Sequence, residues 1–288
     1  MSSVKWPLLF HHLFTCLVDL SLSCFVTPYL FFPTLSGFPV GLFSAIGLST
    51  KIQLFYVLIV GYSWLMSMTA MFENRYNQIP MSRLLKFDNQ VIRFFYYFIR
   101  CFVYYTYAIP SIFNTPNQQI SKYEILKVIP CPTIEFFQQD VFVLHNDAFW
   151  VHYYSIFTFI NIVFELFQVF IFCIGSFYLI IRQSIHYSSS KTRRLQLRYL
   201  ISVILQVTIP LLILGFPGAI MVLLFLFQYY NQVLMNIIVL CASCHGVNST
   251  IVIILIHKPY RQYVLSLLPC YHPPKQEVKV EASTIFMV

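Results

Sequence analysis

Two acidic residues lie deep inside long apolar stretches of the sequence, where an ionisable side chain is energetically costly. Asp19 and Glu165 are each flanked by apolar residues on both sides. A carboxylate in hydrocarbon normally faces the interior of a helix bundle and is paired with a partner. Each of the two is therefore either a hydrogen-bonded structural group or a functional one, and the sequence leaves both readings open.

A second candidate for chemistry is Cys241-x-x-Cys244 followed by His245, which has the spacing of a metal site. Small thiols on one face of a membrane helix more often serve as packing residues, so we expect no metal here. The sequence contains no nucleophile elbow, zinc-protease helix or phosphate-binding loop. It therefore predicts neither an enzyme nor a bound cofactor.

The composition indicates a membrane protein. Of the 288 residues, 58% are hydrophobic and only 10% are charged, and the mean hydropathy is +0.72. A soluble domain carries roughly 25% charged residues, so the surface cannot be mainly in contact with water. The formal net charge of +8 does not predict nucleic-acid binding, because the basic residues lie at the ends of apolar runs rather than in one patch.

Six apolar segments are long enough to cross a bilayer, which takes roughly 20 mostly apolar residues. The third is the weakest because it contains Arg100, whose long side chain we expect to extend outward to the near end of its helix. The sequence thus predicts an all-α, polytopic transmembrane helix bundle over residues 1–257. The six predicted spans are residues 8–32, 51–72, 94–113, 150–181, 197–229 and 232–257.

Basic residues occur in every second connection between these spans. The connection 73–93 contains four of them and the connection 182–198 contains five, whereas the connection 33–50 contains none. The connection 114–149 has two basic residues against four acidic ones. Because basic connections stay in the cytoplasm, the pattern predicts that both ends of the chain are cytoplasmic.

The tail at residues 258–288 begins with the pattern of a short amphipathic helix. Tyr263, Val264, Leu267 and Leu268 recur at helical spacing after Pro259, which we expect to end the last span. A helix of this kind lies in the interface of a membrane with its apolar face buried. We therefore expect it to rest on the lipid of the inner leaflet.

Three stretches, in this order along the chain, carry a resemblance to a known family. The family is that of the class H nematode serpentine chemoreceptors, which belong to the seven-helix G-protein-coupled receptor superfamily. The three stretches are similar to three parts of that family: its second helix with the following loop, the end of its third helix, and the end of its last helix. The stretches are Asp19-Leu20 with Pro28-Tyr29 and Gly37-Phe38-Pro39, then Phe72-Glu73-Asn74-Arg75-Tyr76, and then His245-Gly246-Val247-Asn248 running to His257-Lys258-Pro259-Tyr260-Arg261.

The resemblance implies a chemoreceptor in the plasma membrane of sensory cells that binds an external small-molecule cue and signals to a heterotrimeric G-protein. Since that family has seven helices and an external N-terminus, six spans with both ends inside imply that the first helix is missing from this sequence. Arg75 also has a simpler reading, because a cation stabilises the C-terminal end of a helix. The residues expected to face the G-protein are Glu73, Asn74, Arg75, Arg193, Arg194, Pro259, Tyr260 and Arg261.

The polar residues of the first and last spans are expected to form an interior cluster. At 1.5 Å per residue, Asp19 lies ~20 Å from the cytoplasmic edge, and His245 and Asn248 lie ~18 and ~14 Å from it. The family layout brings these two helices together, so we expect Asp19 to face the bundle interior near His245, Asn248 or Ser249. The residues that bind the cue cannot be chosen from the sequence.

Two other functions fit parts of the pattern. Six spans with both ends inside is also the layout of a channel or transporter subunit, although the connection between the last two spans is too short for a re-entrant pore segment. The chain could also be an inactive, truncated copy of a receptor, since a helix is expected to be missing.

The alternating charge leads to a prediction about topology. Epitope tags at Met1 and Val288 should bind antibody only after cells are permeabilised, because both ends are expected to be cytoplasmic. Immunofluorescence on intact and permeabilised cells measures this, and a tag in the acidic connection 114–149 is the control that should be stained on intact cells. Staining of the Met1 tag on intact cells would contradict the six-span prediction.

Overall fold

A computed structural model describes residues 2–79, 89–186, 190–256 and 258–267. Most of this part of the chain is helical. The helices are α1 (Ser2–Leu20), α2 (Leu42–Ala45), α3 (Thr50–Asn77), α4 (Gln90–Thr106), α5 (Ala108–Phe113), α6 (Gln118–Ile125), α7 (Glu135–Gln138), α8 (Ala148–His186), α9 (Ser190–Leu226), α10 (Gln232–Ser243), α11 (His245–Ile256) and α12 (Lys258–Ser266). A π-helical segment, Ser21–Phe25, continues α1.

Asparagine side chains mark the starts of several helices. Asn89 Oδ1 accepts a hydrogen bond from Val91 N (2.8 Å) at the start of α4. Asn231 Oδ1 accepts one from Leu234 N (2.9 Å) at the start of α10, and Asn117 caps α6 in the same way. Asparagine is favoured at this position because its side chain satisfies a backbone N–H that has no partner within the helix.

Helix α3 lies at the centre of the bundle. It packs against α1, α4, α5 and α8, while α9 packs against α8, α10 and α11 and α1 contacts both α10 and α11. The largest apolar core lies between α3 and its neighbours, so α3 is the element that most of the interior side chains contact. Fully buried members of this core include Met68, Phe72, Ile180 and Leu200.

The described helices form a membrane-type bundle, but they do not confirm the predicted number of six spans. The helices Trp6–Phe25, Thr50–Asn77 and Ala148–Arg182 are long and apolar enough to cross a bilayer, and the pair Gln232–Ser243 and His245–Val252 adds a fourth if its 41° bend lies within one span. Helix α4 has only 17 residues and continues into α5 after a break at Tyr107.

Three short strands form a sheet among the connections between the helices, so the all-α prediction is wrong for this part. The strands are β1 (Pro28–Leu30), β2 (Leu35–Pro39) and β3 (Phe142–His145), paired antiparallel in that order. The predicted first span also ends too late, at residue 32. The helical segment ends at Phe25 because Thr27 takes a positive φ of 44° and because Pro28 has no backbone N–H to continue the helix.

The sheet and the helices α6 and α7 enclose a small core of their own. Phe31, Ile129, Phe136 and Val143 are buried in it. The side chain of Gln118 extends the sheet edge, since its amide nitrogen donates to Val143 O (3.1 Å) and its amide oxygen accepts from Val143 N (2.8 Å). The connection after the first span and the connection before α8 are thus joined into one unit.

The close pairing of β1 with β2 predicts that Gly37→Ala destabilises the protein. A Cβ at this position would lie 2.4 Å from the backbone oxygen of Tyr29, so one strand must shift, at a cost of about 1–3 kcal/mol. We expect a lower midpoint of thermal unfolding for the detergent-solubilised protein. Gly61→Ala in α3 is the matched control, because a Cβ there meets no atom within 4 Å; equal midpoints for the two variants would contradict the role of the sheet.

Candidate functional site

Asp19 links α1 to the break between α10 and α11. Its Oδ1 lies 2.7 Å from His245 Nδ1 and accepts a hydrogen bond from Gly246 N (3.0 Å). A carboxylate is favourable at this position because the first N–H groups of α11 point toward it. Glycine leaves room for this contact, since a Cβ on Gly246 would lie 2.0 Å from Asp19 Oδ2 and the carboxylate would have to shift.

The imidazole of His245 is fully buried at this contact. Its Nδ1 lies within hydrogen-bond distance of two acceptors, Asp19 Oδ1 and Ala242 O (3.0 Å), so we assign the proton to Nδ1. The ring of Trp64 from α3 packs edge-on against it, with 5.4 Å between ring centroids. Trp64 Nε1 in turn donates to Thr15 Oγ1 of α1 (3.2 Å), so α1, α3 and α11 meet at one polar cluster.

The structure thus brings together Asp19 and His245 of the predicted interior cluster, but not Asn248. The amide of Asn248 instead donates to Cys244 O (2.9 Å), four residues earlier. The side chain of Ser249 lies outside the part of the chain that the structure describes. Cys244 and Cys241 are exposed while His245 points into the bundle, so these three side chains do not converge on a metal position.

Arg100 does not reach the end of its helix, and the expectation that it extends outward is wrong. Its side chain is only 6% exposed and forms an ion pair with Glu165 of α8. Its guanidinium also lies over the rings of Tyr96, Tyr97 and Tyr104, at 5.0, 5.5 and 5.8 Å from their centroids. Burying the guanidinium costs desolvation, and the carboxylate of Glu165 and the three aromatic rings offset this cost. The inward position is therefore more favourable than one in which the side chain extends through hydrocarbon to the end of the helix.

Glu165 accepts hydrogen bonds from groups on two other helices, α3 and α4. Its Oε2 accepts a hydrogen bond from Thr69 Oγ1 of α3 (2.5 Å), and its Oε1 accepts from Arg100 and from the hydroxyl of Tyr104 in α4. Sequence reasoning left its partner open, yet a signal existed. Polar residues recur along α8 at helical spacing, on the face that is buried: Asn161, Glu165, Gln168 and Ser176.

Glu73 forms a second ion pair, between the C-terminal end of α3 and the start of α4. Its Oε2 lies 2.6 Å from Arg93 Nη2 and accepts a weaker hydrogen bond from Tyr97 (3.3 Å), while Oε1 accepts from Asn77. The carboxylate is fully buried and is held within the bundle, so a role for Glu73 toward a G-protein stays a prediction. A buried carboxylate binds the nearest guanidinium of its own chain, because leaving it unpaired is costly.

The other residues expected at the cytoplasmic face are divided between buried and exposed positions. Asn74 is buried, Arg75 is half-buried, and Arg194 is exposed. Arg261 is exposed on α12 and donates to Leu255 O (3.0 Å). The side chains of Arg193, Pro259 and Tyr260 lie outside the described part of the chain.

A cluster of hydroxyl groups, which sequence reasoning missed, lies at the break between α4 and α5. The hydroxyl of Tyr107 is 2.8 Å from that of Tyr62 and 3.1 Å from Thr158 Oγ1. The hydroxyl of Tyr153 donates to the backbone oxygen of Tyr107 (2.9 Å), so α8 contacts the break between the two helices. Tyrosines are too frequent in this chain for their positions alone to have indicated the cluster.

These features define an integral membrane protein built as a helical bundle with an interior network of polar and charged contacts. The family model of the serpentine type seven-transmembrane G-protein-coupled chemoreceptor Srh matches residues 1–270. The chain belongs to this family, which confirms the resemblance drawn from the motifs. The family consists of receptors rather than enzymes.

One curated relative shows the extent of the similarity. Serpentine receptor class H-72 of Caenorhabditis elegans is 27% identical to this chain over 267 residues, which cover 93% of this chain and 76% of the relative. No solved structure gives a significant match.

The Arg100–Glu165 pair predicts an unequal effect of single and double substitutions. Arg100→Leu should destabilise the protein by about 3–5 kcal/mol, because it leaves a buried carboxylate without its cation. The double variant Arg100→Leu/Glu165→Leu should recover much of this loss, since neither charge is then buried alone. Thermal unfolding in detergent measures both, with Arg182→Leu as the exposed-arginine control; a double variant less stable than Arg100→Leu would contradict the pairing.

Proposed function

We propose that the protein is a chemosensory G-protein-coupled receptor that binds an external small-molecule cue and signals to a heterotrimeric G-protein. The observation that supports this most directly is the match of the serpentine chemoreceptor family to residues 1–270. The relative from Caenorhabditis elegans is also a serpentine receptor by name. We further propose six spans and a location in the plasma membrane of sensory cells.

A path for the signal is supported by the contacts of α3. Its middle part contacts α1 and, through Trp64, His245 of α11. Its cytoplasmic end carries Tyr76, whose ring lies so close to Gly175 of α8 that a Cβ there would be 2.9 Å from it. A displacement of α8 or α11 would therefore move the end of α3, where Arg75 is located.

The proposed docking surface for the G-protein consists of basic side chains near the cytoplasmic ends of the helices. Arg75 is half-buried at the end of α3, and Arg194 and Arg261 are exposed on α9 and α12. Tyr263 and Leu267 of α12 are each 67% exposed. An apolar face of this kind suits contact with the lipid of the inner leaflet, which would hold α12 beside the docking surface.

The Arg75 proposal leads to a test of coupling. The receptor is expressed with a promiscuous G-protein and screened against a panel of small water-soluble and volatile molecules, with intracellular calcium as the readout. For any molecule that evokes a response, Arg75→Ala should abolish it, because the cation would no longer be available to the G-protein. Surface expression should stay within a factor of about two, since a half-buried helix-end cation contributes little to stability.

Two controls make this test specific. Lys122→Ala removes a cation from α6 in the outer connection and should leave the response unchanged. Arg75→Lys retains the charge and should retain part of the response. A normal response from Arg75→Ala would show that Arg75 serves topology only and would contradict its proposed role.

A further inference from the structure

A buried amide donor lies next to the hydroxyl cluster at the break between α4 and α5. The side chain of Asn161 on α8 is only 7% exposed and lies close to the hydroxyl of Tyr62. Its Nδ2 nonetheless makes no hydrogen bond of acceptable geometry with the residues that the structure describes. An amide N–H enclosed in an apolar bundle without an acceptor is costly. This group is therefore suited to an acceptor that the chain itself does not supply.

The hydroxyl groups of the cluster add to this surplus of donors. The hydroxyl of Tyr107 contacts those of Tyr62 and Thr158, at 2.8 and 3.1 Å. Each of these two contacts uses one proton, whereas the three hydroxyl groups carry one proton each. At least one O–H is thus not used within the cluster, and a cluster rich in donors suits a ligand group that only accepts hydrogen bonds.

The charges near the cluster favour a neutral ligand. The ring of Tyr62 stacks on that of Tyr104, with 5.1 Å between the ring centroids, and the hydroxyl of Tyr104 donates to Glu165. Glu165 is paired with Arg100, so neither charge is available to a ligand. A carboxylate or an ammonium ion bound beside Tyr62 would therefore be buried without a counterion, which is costly.

A mostly apolar groove on α8 adjoins the cluster. The hydroxyl of Tyr153 donates to the backbone oxygen of Tyr107 (2.9 Å), and the ring of Phe157 stacks on that of Tyr107 at 6.0 Å, so these two groove residues also contact the cluster. Sites for small molecules combine an apolar wall of this kind with a few polar groups that fix the orientation of the ligand. The groove has a volume of about 480 Å³ and is lined by Ala148, Phe149, His152, Tyr153, Ile156 and Phe157.

We propose that the groove and the cluster form the site for the cue, and that the cue is a small neutral molecule with a carbonyl group, such as a ketone, an aldehyde or an ester. The carbonyl oxygen accepts hydrogen bonds from Asn161 Nδ2 and from a hydroxyl group of the cluster. The apolar part of the molecule lies in the groove against Tyr153 and Phe157. This assignment rests on the proposed receptor function, since it names the chemical class of the external cue.

Ligand binding to the full chain in lipid nanodiscs tests the assignment without a G-protein. The probes are two matched pairs, acetophenone with alpha-methylstyrene and cyclohexanone with methylenecyclohexane, in which a methylene group replaces the carbonyl oxygen. A ligand that binds the folded protein raises its midpoint of thermal unfolding. We expect at least one ketone to bind about tenfold more tightly than its hydrocarbon partner, because the hydrocarbon leaves the buried donors unpaired.

Two charged analogues, benzoate and benzylammonium, complete the test and should not raise the midpoint. Binding of neither ketone, equal binding within both pairs, or tighter binding of a charged analogue would each overturn the assignment. Calcium responses are measured separately on cells. A ketone that binds with the expected preference but evokes no response would support the site and contradict the proposed signalling.

Matched variants test the donors. Asn161→Leu should abolish the preference for the ketone and should still fold, because it removes an unpartnered donor rather than a hydrogen bond. Tyr62→Phe should weaken the preference. The controls Ile160→Leu and Tyr178→Phe, at positions that are 55% and 58% exposed, should leave it unchanged. A full preference for the ketone in Asn161→Leu would overturn the assignment, and if a variant fails to fold, the matched pairs on the native protein still decide.

Discussion

A carboxylate enclosed between membrane helices needs a partner, and the arrangement of this bundle depends on that requirement. Asp19, Glu73 and Glu165 lie on three different helices, and each is paired with a cation or an N–H group from another helix. Buried ion pairs contribute little net stability compared with apolar packing, but breaking one is strongly destabilising. Their main effect here is to specify which helices meet and at what height.

The same pairs explain why α4 belongs to the bundle at all. It is short, and it carries Arg93 and Arg100 on its inner face while Phe94, Phe98 and Phe102 are exposed on the other. Its apolar face suits lipid, whereas its inner face suits only a protein interior that supplies carboxylates. Glu73 of α3 and Glu165 of α8 supply them, so α4 is held mainly by charge and by tyrosine hydroxyls.

Three features could be predicted from the sequence: the class of protein, its family, and the contact between the first and last spans at Asp19. These depend on properties that residues carry by themselves, such as hydropathy, motif identity and depth in a helix. The inward position of Arg100 could not be predicted in this way, because it depends on a carboxylate 65 residues later in the chain. The burial of Glu73 could not be predicted for the same reason, since it depends on Arg93.

The sheet was missed because an apolar strand and the end of an apolar helix look alike in composition. The predicted first span ran on through Pro28 to residue 32, although the backbone of Thr27 already leaves the helix there. The roles of the residues predicted to face the cytoplasm stay predictions.

The connections that contain the sheet are joined by main-chain pairing of β1, β2 and β3 and by the amide of Gln118. The seven cysteines in the described part of the chain are all free thiols, and Cys131 is exposed in this unit. Among the described residues, the joint between these connections is therefore made by hydrogen bonds and apolar packing and not by a covalent cross-link. Contacts of this kind are unaffected by reducing agents, which would open a disulfide.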